Sequence, residues 1–265
     1  MVSYTDMADE LYPPHRQPPK GIQRQRVQKG PFVFTTTQIT KSGLERPAGT
    51  YLSAELPQLD SWWSLQPAQM ELLASQFARF LPQEGLVLVV GVGNRQVTAD
   101  ALGPRTAQGI LATRGLAYYP SAAELGLREV AVISPGASGQ TGIPLVTLVS
   151  GLVRSMKPSA VVCIDSLASI SHKRLGKSIQ MSDTGLQPAR PASPRCLTRA
   201  MLGVPVLAVG MPTLMEHPQD SDLLLIPRQL DELIAQGSQL LAKALNRALQ
   251  PRLTLAELGC LVRGA

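Results

Sequence analysis

Apolar and polar residues alternate in blocks along this 265-residue chain. Four runs are apolar at nearly every position, and a polar or glycine-containing loop follows each one. Continuous apolar runs are typical of parallel strands that helices cover on both faces. The runs are Leu86–Val90, Val130–Ile133, Ala160–Ile164 and Val204–Val209.

Segments with apolar residues at helical spacing separate and flank these runs. Together the runs and helices predict an α/β fold, with a mostly parallel sheet flanked by helices in a phosphorylase/hydrolase-like three-layer sandwich. The predicted helices are Gln66–Phe80, Pro104–Thr113, Ile143–Met156, Arg195–Met201 and Pro227–Leu249.

The N-terminal region has a different pattern. Two β-branched segments, Phe32–Ile39 and Gly49–Leu56, predict a small antiparallel β extension of the sheet. Residues 1–30 are polar, basic and proline-containing, which predicts an irregular leader ahead of a single α/β domain at 31–265. The leader is interpreted either as a solvated segment or as a surface that attracts acidic partners or nucleic acid.

Composition excludes several classes of protein. The three cysteines contain no CxxC pair, so zinc-finger spacing is absent and a reducing compartment is expected. No apolar run approaches the roughly 20 residues of a membrane span, and no signal-peptide core is present, which predicts a cytoplasmic protein with no membrane partner. Aromatic residues make up 4% of the chain, too few for a nucleic-acid stacking platform, so no nucleic acid is required as a partner.

Candidate chemistry lies where the apolar runs end, since sites of open α/β sheets form at the carboxyl ends of strands. A nucleotide loop is disfavoured, because Gln96 stands where the third glycine of GxGxxG is needed. Asp100 precedes a predicted helix and Asp165 ends a strand; taken singly, they suit a helix N-cap and a polar strand end. Taken together, two carboxyl groups at neighbouring strand ends can share a proton and activate water.

Further candidates surround this pair. Gly93 and Asn94 in the first loop, and Gln140 and Thr141 in the second, are candidate substrate or oxyanion contacts. Asp183 either forms a turn with the glycine that follows or contributes to the same cleft.

Other catalytic arrangements find less support. Neither a GxSxG elbow nor an HExxH motif occurs, and Cys163 lies in an apolar run without a basic neighbour. A metal site is the alternative in which His217 and Glu216 join the two aspartates. We expect no cofactor.

Five segments, in this order and spacing, resemble the germination protease family of endospore-forming bacteria. Similar N- and C-terminal segments extend the resemblance over roughly residues 4–250. The five segments are GVGNRQVTADALGP, SPGASGQTGI, CIDSLAS, IQMSDTGLQP and VPVLAVGMPT.

This resemblance implies an aspartic-type endopeptidase that degrades small acid-soluble spore proteins during germination. It implies that Asp100 and Asp165 are the catalytic residues. It further implies a zymogen that loses a short N-terminal propeptide, a homotetramer, and a location in the cytoplasm of the developing spore core. The implied fold is similar to that of hydrogenase-maturation proteases, which hold a metal at the analogous positions.

The chain also departs from the family pattern. It is shorter between GMPTLMEHP and LLLIPRQL, and QPARPASPR (187–195) replaces a glycine-rich stretch. Gln187 and Gly115 stand where the family has histidines. Two alternatives therefore stay open: a metal-dependent maturation-type peptidase that uses the same acids, and an inactive relative that binds spore proteins or DNA.

Overall fold

The computed structural model describes residues 4–13, 17–41, 44–56, 65–116, 124–187, 195–217 and 220–263. This part of the chain contains one sheet with helices on both faces. Its strands are β1 (Ile22–Lys29), β2 (Phe32–Ile39), β3 (Gly49–Glu55), β4 (Val87–Gly91), β5 (Val130–Ile133), β6 (Ala160–Ala168), β7 (Ser178–Ser182), β8 (Val206–His217) and β9 (Asp220–Leu225).

The helices vary widely in length. Within the described ranges, no helix is both long and apolar enough to cross a membrane. The helices are α1 (Ala8–Leu11), α2 (Pro67–Ala78), α3 (Leu102–Gln108), α4 (Ser138–Thr141), α5 (Leu145–Met156), α6 (Arg199–Leu202), α7 (Leu230–Leu249) and α8 (Leu255–Arg263).

The strand order divides the sheet into two halves. Strands β5, β4, β6 and β8 lie side by side and parallel, and they are the four predicted apolar runs. Strand β8 then pairs antiparallel with β7, and the order continues through β3 and β2 to β1 at the edge. Strand β9 pairs antiparallel with the end of β8. The predicted α/β class and the antiparallel N-terminal extension are confirmed.

Strand β4 shows why its sequence is apolar throughout. Val87 and Val89 face a core that contains side chains of α2, α3 and α7. Leu88 and Val90 face the opposite core, which contains side chains of α5. Successive side chains of a strand point to opposite faces, so a sheet covered on both faces needs apolar residues at each position.

The prediction that residues 1–30 are irregular is wrong for their described part. Strand β1 pairs along its whole length with β2, so the β1–β2 hairpin crosses the predicted boundary at residue 30. Most side chains of β1 are exposed or half-buried, so this segment lacks the apolar pattern of a buried strand. The predicted helix at 195–201 is also shorter than expected, since α6 begins at Arg199 and Arg195 precedes it.

The start of α3 packs directly on the backbone of two strand ends. A Cβ atom at Gly103 would lie 2.2 Å from the Val92 carbonyl oxygen and 2.3 Å from that of Ile164. Only glycine allows this approach, since backbone atoms on both sides cannot yield. The contact brings the loop after β4 against the end of β6.

Substitution of Gly103 by alanine should therefore destabilise the fold. We expect the free energy of unfolding to fall by roughly 1–3 kcal/mol, the usual cost of overpacking. The matched control is Gly151→Ala in α5, where an added Cβ meets nothing within 4 Å. The control should stabilise the protein by roughly 0.5–1 kcal/mol, the helix preference for alanine. Denaturant unfolding measures both, and equal effects would contradict the packing argument.

Candidate active site

Asp165 lies in β6 directly after its apolar run. Its side chain is 4% exposed. The backbone N–H of Ser166 donates to Asp165 Oδ1 at 2.8 Å, which leaves the carboxyl group at the carboxyl end of the parallel strands. The strand sequence thus places an acid at the end of the sheet where sites of α/β proteins form.

Asp100 lies at the same end of the sheet, in the loop after β4. It closes a short 3₁₀ turn at Thr98–Asp100, and its Oδ2 accepts the Asn94 N–H at 2.8 Å. Gly93 has a φ of +123°, and a Cβ there would lie 2.1 Å from the Asp100 carbonyl oxygen, so a side chain would displace the turn. The N-cap position of α3 is Ala101, so Asp100 does not cap that helix.

Arg195 holds the two carboxyl groups together. Its Nη1 donates to Asp100 Oδ1 at 2.6 Å and its Nη2 donates to Asp100 Oδ2 at 2.8 Å, a bidentate contact. The same Nη1 donates to Asp165 Oδ1 at 3.4 Å. Because both bonds share this nitrogen, the two Oδ1 atoms are no more than about 6 Å apart. We call Asp100 and Asp165 the acid pair.

The environment of Asp165 favours its protonated form. The pKa of this carboxyl group is raised from 3.8 to about 8; burial is the largest cause, and the negative charges of Asp100 and Asp6 act in the same direction. The positive charge of Arg195 and the Ser166 N–H act in the opposite direction without cancelling the effect of burial. At pH 7 Asp165 therefore keeps its proton, which an acid catalyst needs.

The acid pair lines a cleft of about 470 Å³. The N-terminal segment forms part of its wall: the Asp6 N–H donates to the Ala168 carbonyl at 2.9 Å, and the Ala168 N–H donates to Asp6 Oδ2 at 2.8 Å. Arg46, itself buried, donates to the carbonyl oxygens of Thr5 and Gln187, both at 2.6 Å. Residues distant in sequence thus enclose the two acids.

The other predicted site residues lie at different distances from the acid pair. Gly93 and Asn94 lie beside the acid pair, but the Asn94 N–H already donates to Asp100 and is committed to holding that carboxyl group. Gln140 and Thr141 lie exposed on α4 and are not among the residues that line the cleft. Asp183 is exposed and accepts the Thr50 N–H at 2.7 Å, which agrees with the structural interpretation as a turn residue.

The donor groups do not fit a divalent metal. In the described ranges, no three His, Cys, Asp or Glu side chains are placed to hold one. Glu216 lines the cleft, whereas His217 at the end of β8 does not. The Arg195 guanidinium, within hydrogen-bond distance of both aspartates, would repel a cation between them. The structure therefore does not support the predicted alternative that His217 joins the acids around a metal.

Sequence reasoning did not identify Arg195, Asp6 or Arg46 as site residues. A general signal existed for a cation, because a buried carboxyl group needs a positive partner or a proton. The sequence offers 25 Lys and Arg residues, and no motif marks Arg195 among them. Asp6 reaches the cleft because the N-terminal segment lies against β6, and Arg46 reaches it from the connection between β2 and β3.

Replacement of Asp165 by asparagine should change how stability depends on pH. Between about pH 4 and 8 the folded protein holds a proton on Asp165 that the unfolded chain has lost. The free energy of unfolding of the wild type should therefore fall relative to Asp165→Asn with rising pH, by at most about 1.4 kcal/mol per pH unit. Denaturant unfolding at several pH values measures this.

Asp231→Asn, an exposed change at the start of α7, is the control and should keep the wild-type dependence on pH. A constant difference between wild type and Asp165→Asn across this range would contradict the buried, protonated carboxyl.

Comparisons with known proteins agree with the arrangement of motifs. The family model described as germination protease matches residues 15–219. A germination protease of Bacillus pumilus is 36% identical over 211 residues, covering 74% of this chain and 56% of the relative. One from Bacillus thuringiensis is 34% identical over 232 residues, covering 80% of this chain and 63% of the relative. One from Clostridium acetobutylicum is 28% identical over 284 residues and covers 85% of this chain and 87% of the relative.

The chain spans only about three fifths of the length of the Bacillus relatives. A NiFe hydrogenase maturation protease from Thermococcus kodakarensis aligns with 64% of this chain and 98% of its own, with a TM-score of 0.40 and 17% identity. The sequence matches, rather than this structural likeness, define the relationship: the chain belongs to the germination protease family.

Proposed function

We propose that this protein is an aspartic-type endopeptidase in which the acid pair activates water. The observation that carries the proposal is the meeting of two carboxyl groups, one on β6 and one in the loop after β4, at one guanidinium inside an open cleft. A structural ion pair needs only one carboxyl partner for one arginine. Two acids, one of them buried and protonated, supply the base and the acid that amide hydrolysis needs.

The chemistry requires two proton transfers. One carboxylate takes a proton from water as the water oxygen bonds to the carbonyl carbon of the substrate. The other carboxyl group gives its proton to the amide nitrogen as the carbon–nitrogen bond breaks, so an amine and a carboxylic acid leave. The cleft residues hold the peptide so that its carbonyl carbon lies next to the water, which is the positioning on which the rate depends.

The substrate class follows from the family. We propose small acid-soluble spore proteins, because this chain keeps both aspartates within the segments that carry the family resemblance. The residues that line the cleft range from Tyr4 in the N-terminal segment to Leu224 on β9. Trimming of an N-terminal propeptide, assembly into a homotetramer and a location in the spore core stay predictions of the family resemblance.

Each aspartate should be indispensable for cleavage. Asp100→Asn and Asp165→Asn each remove one of the two proton-transfer groups while keeping the size of the side chain. We expect each to lower kcat/KM at least about 100-fold, the usual contribution of general acid–base catalysis. The measurement is the rate at which a purified small acid-soluble spore protein is cut into fragments, followed by mass spectrometry.

The control separates catalysis from charge. Asp231→Asn removes one negative charge from the exposed start of α7 and should leave the rate unchanged. Wild-type rates in either active-site variant would contradict the two-aspartate proposal. A wild-type protein that binds the spore protein but never cuts it would favour the alternative that this chain is an inactive relative that only binds spore proteins.

A further inference from the structure

We propose that Arg195 is the positioning residue that divides the two roles within the acid pair. By binding Asp100 at two points, it holds that group as the carboxylate that accepts the proton of the attacking water. Asp165 is then the carboxylic acid that donates a proton to the leaving amine. This inference rests on the proposed peptidase function and goes beyond it by assigning each acid its role.

The contacts of Arg195 with the two acids are unequal. Both carboxylate oxygens of Asp100 accept a guanidinium N–H, at 2.6 and 2.8 Å. Asp165 has one longer contact, at 3.4 Å, to the same Nη1. Bidentate pairing with arginine requires an ionised carboxylate with two acceptor oxygens, so the geometry selects Asp100 as the charged member.

The surroundings of the two carboxyl groups reinforce this difference. The Asp100 side chain is 17% exposed, and its Oδ2 also accepts the Asn94 N–H, a second donor to the charged form. The Asp165 side chain is 4% exposed. Ionisation of two neighbouring carboxyl groups is unfavourable, so the proton remains on the one that is better shielded from water.

A backbone pair anchors the segment that carries Arg195. Leu197, two residues further on, forms a reciprocal backbone pair with Leu186, with N–H to carbonyl distances of 2.8 and 2.9 Å. Leu186 follows β7, which runs antiparallel to β8, and both leucines are buried in the core that contains Leu88 and Val90 of β4. Arg195 therefore reaches the acids from a segment outside both β6, which carries Asp165, and the turn that carries Asp100.

Other ionisable groups share this environment and contribute to any titration. Asp100 and Asp6 add negative charge near Asp165, and Cys163 lies two residues before it on β6. The remaining ionisable residues that line the cleft are Tyr4, Arg46, Tyr51 and Glu216.

The assignment fixes the path of the protons through one turnover. Asp100 gains a proton as water attacks, and Asp165 loses its proton as the amine leaves. After release of the products, one proton passes from Asp100 to Asp165 and restores the starting state. Arg195 forms and breaks no covalent bond, and acts through the carboxylate that it holds.

Arg195→Met tests this role, because it removes the charge and keeps an unbranched side chain. Loss of a nearby positive charge makes Asp165 harder to ionise, so the limb of the kcat/KM profile that reports this acid should move to higher pH, by about 1–3 units. Independently of activity, the carboxyl ¹³C resonance of Asp165, assigned by its absence in Asp165→Asn, should titrate about 1–3 pH units higher than in wild type. Arg195→Lys, which restores the charge, should return both measurements toward the wild type.

The control is Arg199→Met, the same change at an exposed residue of α6 that should shift neither measurement. If Arg195→Met does not unfold cooperatively, Arg195→Gln removes the charge while keeping a hydrogen-bond donor and carries the same expectation. A reduced rate with unmoved pH limbs and an unmoved Asp165 titration would show a merely structural role and overturn the inference.

The substrate-free titration separates this inference from the proposed function. A shifted Asp165 titration in a protein that cuts no peptide would support the role of Arg195 in placing the proton and reject the peptidase. An unshifted titration in an active peptidase would reject the role of Arg195 and keep the peptidase.

Discussion

A carboxyl group buried beside a second carboxyl group is the constraint on which this site depends. Ionisation of both would place two negative charges within about 6 Å of each other, one of them on a side chain that is almost fully buried. The structure meets this constraint in two ways at once. A proton stays on Asp165, and a guanidinium neutralises Asp100. Asp165 is then a proton donor and Asp100 a proton acceptor, side by side. The arrangement that makes two neighbouring acids stable thus also provides the two groups that proton transfer needs.

The sheet supplies the rigidity that such a pair needs. Parallel strands β4 and β6 are hydrogen-bonded neighbours, so the residues that follow their apolar runs lie at the same end of the sheet. Glycines at 93 and 103 let the loop after β4 and the start of α3 approach the backbone closely. The Thr213 hydroxyl of β8 donates to the Ala99 carbonyl at 2.8 Å and holds the turn that carries Asp100. Three adjacent strands thus determine the position of one side chain.

Sequence reasoning succeeded where the local pattern is tied directly to the fold. Strands buried on both faces must be apolar, so β4 and β6 could be predicted. The acids that follow the two apolar runs could be located in the same way. Strand β7 was missed because it contains a buried glutamine. Gln180 Oε1 accepts the Ala8 N–H at 2.7 Å and its Nε2 donates to the Asp6 carbonyl at 2.6 Å, so the folded N-terminal segment satisfies it. Arg195 was missed for the same reason: its partners lie 30 and 95 positions away, and no local pattern encodes such a contact.

The most direct test of the acid pair is a crystal structure with a peptide analogue that carries a hydroxyl group in place of the scissile carbonyl. We predict that this hydroxyl lies within about 2.6–3.2 Å of a carboxyl oxygen of both Asp100 and Asp165, where the attacking water would sit. An analogue bound elsewhere, or one whose hydroxyl contacts neither acid, would contradict the account.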